Sequence, residues 1–310
     1  MLISQKNVLL LLTLKNKAIM KISRLIPGFL VILLLQSCAS MKLTSESNTA
    51  FEQGDYEKVL VNLNQVIEAK EASGKKAKGE VYEKAGIAAY NLKNIEKAQK
   101  YLETAKGIAY SSEPMYATLA KVYKHIDNLS KEITALEIYS KNYPQGTEIK
   151  KIRIRLIETY VESENWDYAV ELWPQLETQA QTDVNVLANY LIVNKNLKNN
   201  DVCNSLAKQI KKLDANNIIL LEYYAEKYFW QAENLYVSEM KAYKKKRTTK
   251  QYNKLLKALE KVWPSFKKSR SNYLKLYKID PKPEYAGYLA KIYTRFDDKQ
   301  KAAYYKKRAK

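Results

Sequence analysis

Histidine occurs once in the 310 residues, at His125, and cysteine twice, at Cys38 and Cys203. A single histidine leaves almost nothing for a zinc site or a histidine-activated nucleophile, and two cysteines cannot build a disulfide framework. Glycine (8) and proline (7) are also scarce, too few turn-formers for an all-β sandwich or barrel. A Gly-rich phosphate loop, an HExxH pair and a nucleophile elbow are missing. With no catalytic constellation, the reading is a non-enzyme that needs no metal and no cofactor. What the chain does have is 46% hydrophobic residues and 25 tyrosines, enough apolar matter for a helical core.

The first 38 residues carry five cations (Lys6, Lys15, Lys17, Lys21, Arg24) and no carboxylate, and Leu25 to Leu35 is almost continuously apolar. A membrane-spanning helix needs about 20 apolar residues, so this shorter run reads as the core of an export signal. It ends in Leu35-Gln36-Ser37-Cys38, which resembles the lipobox of bacterial lipoproteins, with an aliphatic residue at −3, a small one at −1 and then cysteine. The resemblance implies cleavage of residues 1–37, a diacylglyceryl group on the Cys38 thiol and acylation of the new amine. Thiolate is the good nucleophile for lipid transfer, and two or more chains, at about 0.8 kcal/mol per buried CH₂, hold a protein on a membrane. Met20 begins a more typical leader than Met1. Residues 38–45 are expected to be a short tether. No Asp follows Cys38, and known sorting rules then imply the outer membrane, facing the periplasm.

A repeat is visible beyond the leader. Ala98, Glu132, Ala169 and Cys203 are spaced 34, 37 and 34 residues apart. Tyr82, Ala85, Gly86, Ala89 and Tyr90 precede Ala98, with Leu102 and Ala105 after it, and Tyr116, Leu119, Ala120 and Tyr123 precede Glu132 in the same way. An earlier copy opens at Gly54-Asp55-Tyr56, a fourth carries Trp166, Ala169 and Trp173, and a fifth carries Tyr190, Cys203 and Ala207. This pattern resembles the tetratricopeptide repeat (TPR) family. The fold expected is all-α, a TPR-like α-solenoid of about five to seven stacked helix-turn-helix units, because a lone amphipathic pair cannot bury both faces. Repeats are expected over 46–217, followed by an atypical, lysine-rich helical region over 218–310 with an expanded unit and a cap. Glu132 departs from the small-residue pattern. Pro174 and Pro264 are expected to kink or end helices.

Stacking as in that family implies a concave face formed by the first helix of each unit. The inward positions are Phe51 and Glu52; Glu83, Ile87, Tyr90 and Asn91; Lys121, Lys124 and His125; Glu158 and Glu162; Ile192, Lys195 and Asn196. Such a groove suits a peptide or protein of the cell envelope, with Phe51 and Tyr90 as anchors. Cys203 reads as a buried, inert thiol. The implied role is a membrane-anchored scaffold, of the kind that serves outer-membrane protein assembly, secretion or motility machines.

Charge is uneven: 38–240 is net −3, whereas 241–310 holds 23 cations and 5 carboxylates. An exported protein does not meet nucleic acid, so Lys244, Lys245, Lys246, Arg247, Lys267, Lys268 and Arg270 form a candidate patch for an anionic lipid or polymer. Only 7 of the 53 cations are arginine, which favours a point-charge over a bidentate contact.

Overall fold

A computed structural model describes residues 39–310. The signal-peptide and Cys38 expectations lie outside the described residues. The chain divides into two compact units, one ending at Thr159 and the other starting at Tyr160. No strand occurs among the described residues. Each unit is an all-α, TPR-like stack of helical hairpins.

The first unit contains α1 (39–52), α2 (Tyr56–Ala72), α3 (Gly79–Asn91), α4 (Ile95–Gly107), α5 (Glu113–His125), α6 (Leu129–Asn142) and the start of α7 (Ile149–Glu162). The stretch 39–45, expected as part of a tether, is instead the opening of α1. α3 packs on α4 and α5 on α6, while α3 also lies against α5, so first helices of successive hairpins are neighbours. Small residues make this approach possible: Ala85, Ala88, Ala89 and Ala98 are fully buried, and a Cβ on Gly86 would stand 2.6 Å from Leu102 Cγ.

One turn recurs between paired helices. The residue before the cap adopts the left-handed conformation at Gly54 (φ 75), Lys93 (φ 62) and Asp127 (φ 55). The next residue's N–H then bonds five residues back, as Asn94 N does to Ala89 O (2.8 Å) and Asn128 N to Tyr123 O (2.9 Å). The side chains of Asp55, Asn94 and Asn128 each accept from the backbone N–H three residues on, all at 3.1 Å. Orphan groups at the end of one helix and the start of the next are thus satisfied within two residues.

The second unit continues with the end of α7, α8 (Trp166–Leu172), α9 (Val184–Asn196), α10 (Asn200–Leu213), α11 (Ile218–Lys245), α12 (Thr249–Ile279), α13 (Pro283–Arg295) and α14 (Lys299–Arg308). The same left-handed turn returns at Glu164 (φ 57), Lys198 (φ 60) and Asp297 (φ 55). Ala169 and Cys203 are buried at the helix crossings, as their spacing predicts. Trp173 stacks flat on Tyr190, with centroids 3.8 Å apart. α8 stops at Leu172 and passes into a 3-10 turn containing Pro174.

The expanded unit is two long helices, α11 of 28 residues and α12 of 31, packed against each other. Pro264 lies inside α12 and does not end it. Proline removes one intrahelical bond there, and the helix is held through that point by Val262, Phe266 and Tyr273, which form a buried core with Phe229, Leu289 and Ile292. Ser269 Oγ donates to Ala225 O across the pair at 2.8 Å.

Candidate functional site

In the first unit, the predicted first-helix positions divide into those engaged within the protein and those left open. Glu83 belongs to the engaged group and corrects the sequence reading: it is only 6% exposed, and its carboxylate accepts from Tyr110 Oη at 2.7 Å and from Ser112 Oγ. Tyr110 and Ser112 stand in and beside the turn into the next hairpin, so Glu83 joins α3 to that turn. Burial, then the bond to Glu83, pushes the Tyr110 hydroxyl up to about 12. Lys121 reaches both oxygens of Glu148 at 2.9 Å. Glu158 accepts from Arg155 Nη1 at 3.0 Å.

The open group is smaller. Ile87 and Tyr90 are half-buried on α3, and Asn91 is exposed with its amide turned back to Ile87 O at 2.9 Å. Among the described residues the Tyr90 hydroxyl has no hydrogen-bond partner; Lys93 Nζ lies 5.9 Å from its ring. On the adjacent α5, Lys124 and His125 are exposed, without an ion pair among the described residues. On α1, Glu52 is exposed and Phe51 is half-buried, edge-on to Tyr56 at 5.9 Å. Lys84, which the repeat pattern does not single out, lies over the Phe51 ring at 5.9 Å and donates to Asn48 Oδ1 at 2.7 Å. Its only sequence signal is Glu80 four residues earlier, with which it forms an ion pair at 2.8 Å.

In the second unit, Glu162 and Asn196 are exposed and Ile192 is half-buried. Lys195 is not open, because it pairs with Glu226 at 2.6 Å.

The cationic residues do not form one patch. Lys244, Lys245, Lys246 and Arg247 are exposed at the turn from α11 to α12, whereas Lys267 and Lys268 sit on α12 roughly 30 Å away along the helix at 1.5 Å per residue. Arg270 is half-buried and lies over the rings of Phe296 (5.0 Å) and Tyr293 (5.6 Å). Its guanidinium packs the core edge, which removes it from an anion-binding surface.

Cys203 is 2% exposed, and burial raises its thiol above the ordinary value, which suppresses thiolate reactivity. No group of potential metal ligands and no helix long and apolar enough to cross a membrane occurs among the described residues.

The chain matches no family model and no curated protein. Among solved structures it is similar to YrrB, a TPR protein with an unusual peptide-binding site, at 11% identity and a TM-score of 0.46, covering 57% of this chain and 87% of that one. It is also similar to a tetratricopeptide repeat protein from Parabacteroides merdae, at 15% identity and a TM-score of 0.43, covering 87% and 92%. A third is the C-terminal part of a TPR repeat-containing protein from Cytophaga hutchinsonii, at 16% identity and a TM-score of 0.48, covering 86% and 93%.

Proposed function

We propose that this protein is a non-enzymatic interaction scaffold, tethered to the bacterial outer membrane by acyl chains on Cys38, which holds an envelope protein or peptide against its first helices. The observation that carries the recognition half is the α3 surface, where Ile87 and Tyr90 keep apolar area in solvent while the other large apolar side chains of that helix, Val81 and Tyr82, are buried. Aromatic anchors flanked by polar side chains, here the unpaired Lys124 and His125 on the neighbouring helix, are what peptide grooves use for affinity and register. The anchoring half is supported by the lipobox-like run ending at Cys38.

The test is crosslinking in the native cell from a photoreactive residue at position 124, followed by identification of the captured protein. A specific adduct that disappears with Ile87→Ala/Tyr90→Ala supports the reading; capture that is indifferent to that double variant refutes it. Cys38→Ala should release the protein from the membrane fraction, and continued membrane association without acylation would remove the lipoprotein half.

A second reading has its own observation. Four consecutive cations, Lys244 to Arg247, stand exposed at one turn, a geometry suited to an anionic lipid or polymer. Salt separates the two, because attraction between exposed charges is screened over about 10 Å at 0.1 M ionic strength while apolar anchoring is not.

A further inference from the structure

The second unit contains a half-open cavity of about 410 Å³ bounded by the end of α10, the first turns of α11 and the last part of α12. Lys211, Lys268 and Lys275 line it, together with Tyr224, Tyr228 and Asn272, and no carboxylate does. Lys268 and Lys275 lie seven residues apart on α12, and Lys211 joins them from α10 only through the fold. None of them forms an ion pair among the described residues. Lys268 Nζ rests 5.1 Å over the Tyr228 ring, and Lys275 Nζ has only a long bond to Asn216 Oδ1 at 3.4 Å. Carboxylates on the neighbouring α11 are already engaged: Glu222 accepts from Tyr285 Oη and Glu226 pairs with Lys195 at 2.6 Å.

Three like charges around one hollow repel one another, and an anion inside it would convert that repulsion into attraction. The shape of the donor set points to one class of anion. Lysine ammonium groups are compact point charges with three donors each, unlike the planar fork of arginine that matches a carboxylate. A phosphomonoester carries a charge of about −1.5 to −2 and three acceptor oxygens, which answers three separated ammonium groups better than a carboxylate does. The remaining volume is walled by Tyr224 and Tyr228, whose rings stand 5.8 Å apart and nearly parallel at 13°. Ligand sites of about 300–1,000 Å³ hold more than a phosphoryl group alone.

We infer that this cavity binds a phosphomonoester carried on a sugar-sized group, independently of recognition on the α3 surface. Calorimetric titration of the whole protein with glucose 6-phosphate, with glucose as control, tests it. The expected result is saturable binding of the phosphorylated sugar only, weakened roughly tenfold or more by Lys268→Gln/Lys275→Gln, since charge-assisted bonds contribute on that scale. Lys211→Gln should weaken it as well. Lys97→Gln/Lys100→Gln, on α4 of the first unit, should leave it unchanged. A parallel arm uses phosphatidylcholine vesicles with and without phosphatidate: binding confined to the phosphatidate vesicles, and lost in the Lys268/Lys275 variant, would place the phosphomonoester on a lipid headgroup. Absence of saturable binding in both arms overturns the inference, and so does an equal loss in the Lys97/Lys100 variant. All five substituted lysines, Lys97, Lys100, Lys211, Lys268 and Lys275, are exposed, so circular dichroism of each variant should match the parent.

Discussion

Arg155 holds Glu132 with two parallel bonds, Nε to Oε1 at 2.7 Å and Nη2 to Oε2 at 3.1 Å. Glu132 occupies the helix-crossing position that Ala98, Ala169 and Cys203 fill elsewhere, and its side chain is only 3% exposed. A buried carboxylate needs a partner, and the bidentate guanidinium supplies it. Removing the arginine alone strands the charge, so Arg155→Ala should destabilise the first unit by about 3 kcal/mol, in line with broken buried pairs. Glu132→Ala/Arg155→Met restores the small residue typical of the repeat and should recover much of that loss. Urea denaturation of the two variants checks this; equal destabilisation would show that the pair has no special coupling.

The left-handed turn between paired helices offers a gain in stability. Lys93 and Lys198 hold φ of 62° and 60°, where a side chain is disfavoured and glycine is not. Lys93→Gly and Lys198→Gly should each stabilise by about 0.5–1 kcal/mol, and their effects should add because they lie far apart in sequence, in different units. Gly54 provides the converse. A Cβ there meets nothing within 4 Å, so Gly54→Ala should destabilise through the backbone alone. Denaturation midpoints would shift in opposite directions for the two kinds of substitution.

Those turns also show why some of the architecture was legible and some was not. The opening at Gly54-Asp55-Tyr56 and the recurrence of small residues about every 34 positions give the pairing of helices. The left-handed residue before each cap is glycine only at Gly54, so that signal is silent in the other copies. Periodicity also assigns Glu83 to an open face, because its position in α3 matches that of a groove residue. It cannot reveal that Tyr110, 27 residues on, turns back to cover it. Pro264 misleads for a related reason: tertiary burial around Phe266 and Tyr273 outweighs a local preference for ending the helix. That Lys211 of α10 joins Lys268 and Lys275 of α12 is invisible to any local pattern.

Alkali should unfold the protein in a defined window. Burial first, and hydrogen bonds to carboxylates second, push Tyr110 and Tyr139 up to about 12, and burial does the same for Tyr223. A tyrosine whose folded value exceeds its ordinary value of about 10 lends stability that is complete below that pH and is lost as pH rises through the folded value. Helical circular dichroism should therefore hold to about pH 10 and fall toward pH 12 as tyrosinate absorbance from the buried rings rises. Tyr139→Phe should make the decline shallower. On the acid side, bonds from Thr147 and Tyr139 hold Glu113 below its ordinary value, so its contribution disappears as pH falls through that lowered value.

Stability and recognition should separate cleanly on one helix. Glu83 and Tyr90 both lie on α3, seven residues apart, yet Glu83 is buried against Tyr110 and Ser112 while the Tyr90 hydroxyl faces no partner among the described residues. Glu83→Ala leaves two polar groups without their acceptor at a half-buried seam, which costs about 1–3 kcal/mol. It should lower the melting temperature and reduce partner capture only as far as the fold is lost. Tyr90→Ala should do the reverse, keeping the melting temperature close to that of the parent while abolishing the crosslinked adduct at temperatures where both proteins are fully folded. Thermal melts paired with adduct yields from the same preparations read both effects. A Glu83→Ala protein that melts like the parent would mean that the Tyr110 and Ser112 bonds do not fasten the hairpins together. A Tyr90→Ala protein that crosslinks normally would remove this aromatic from the recognition surface.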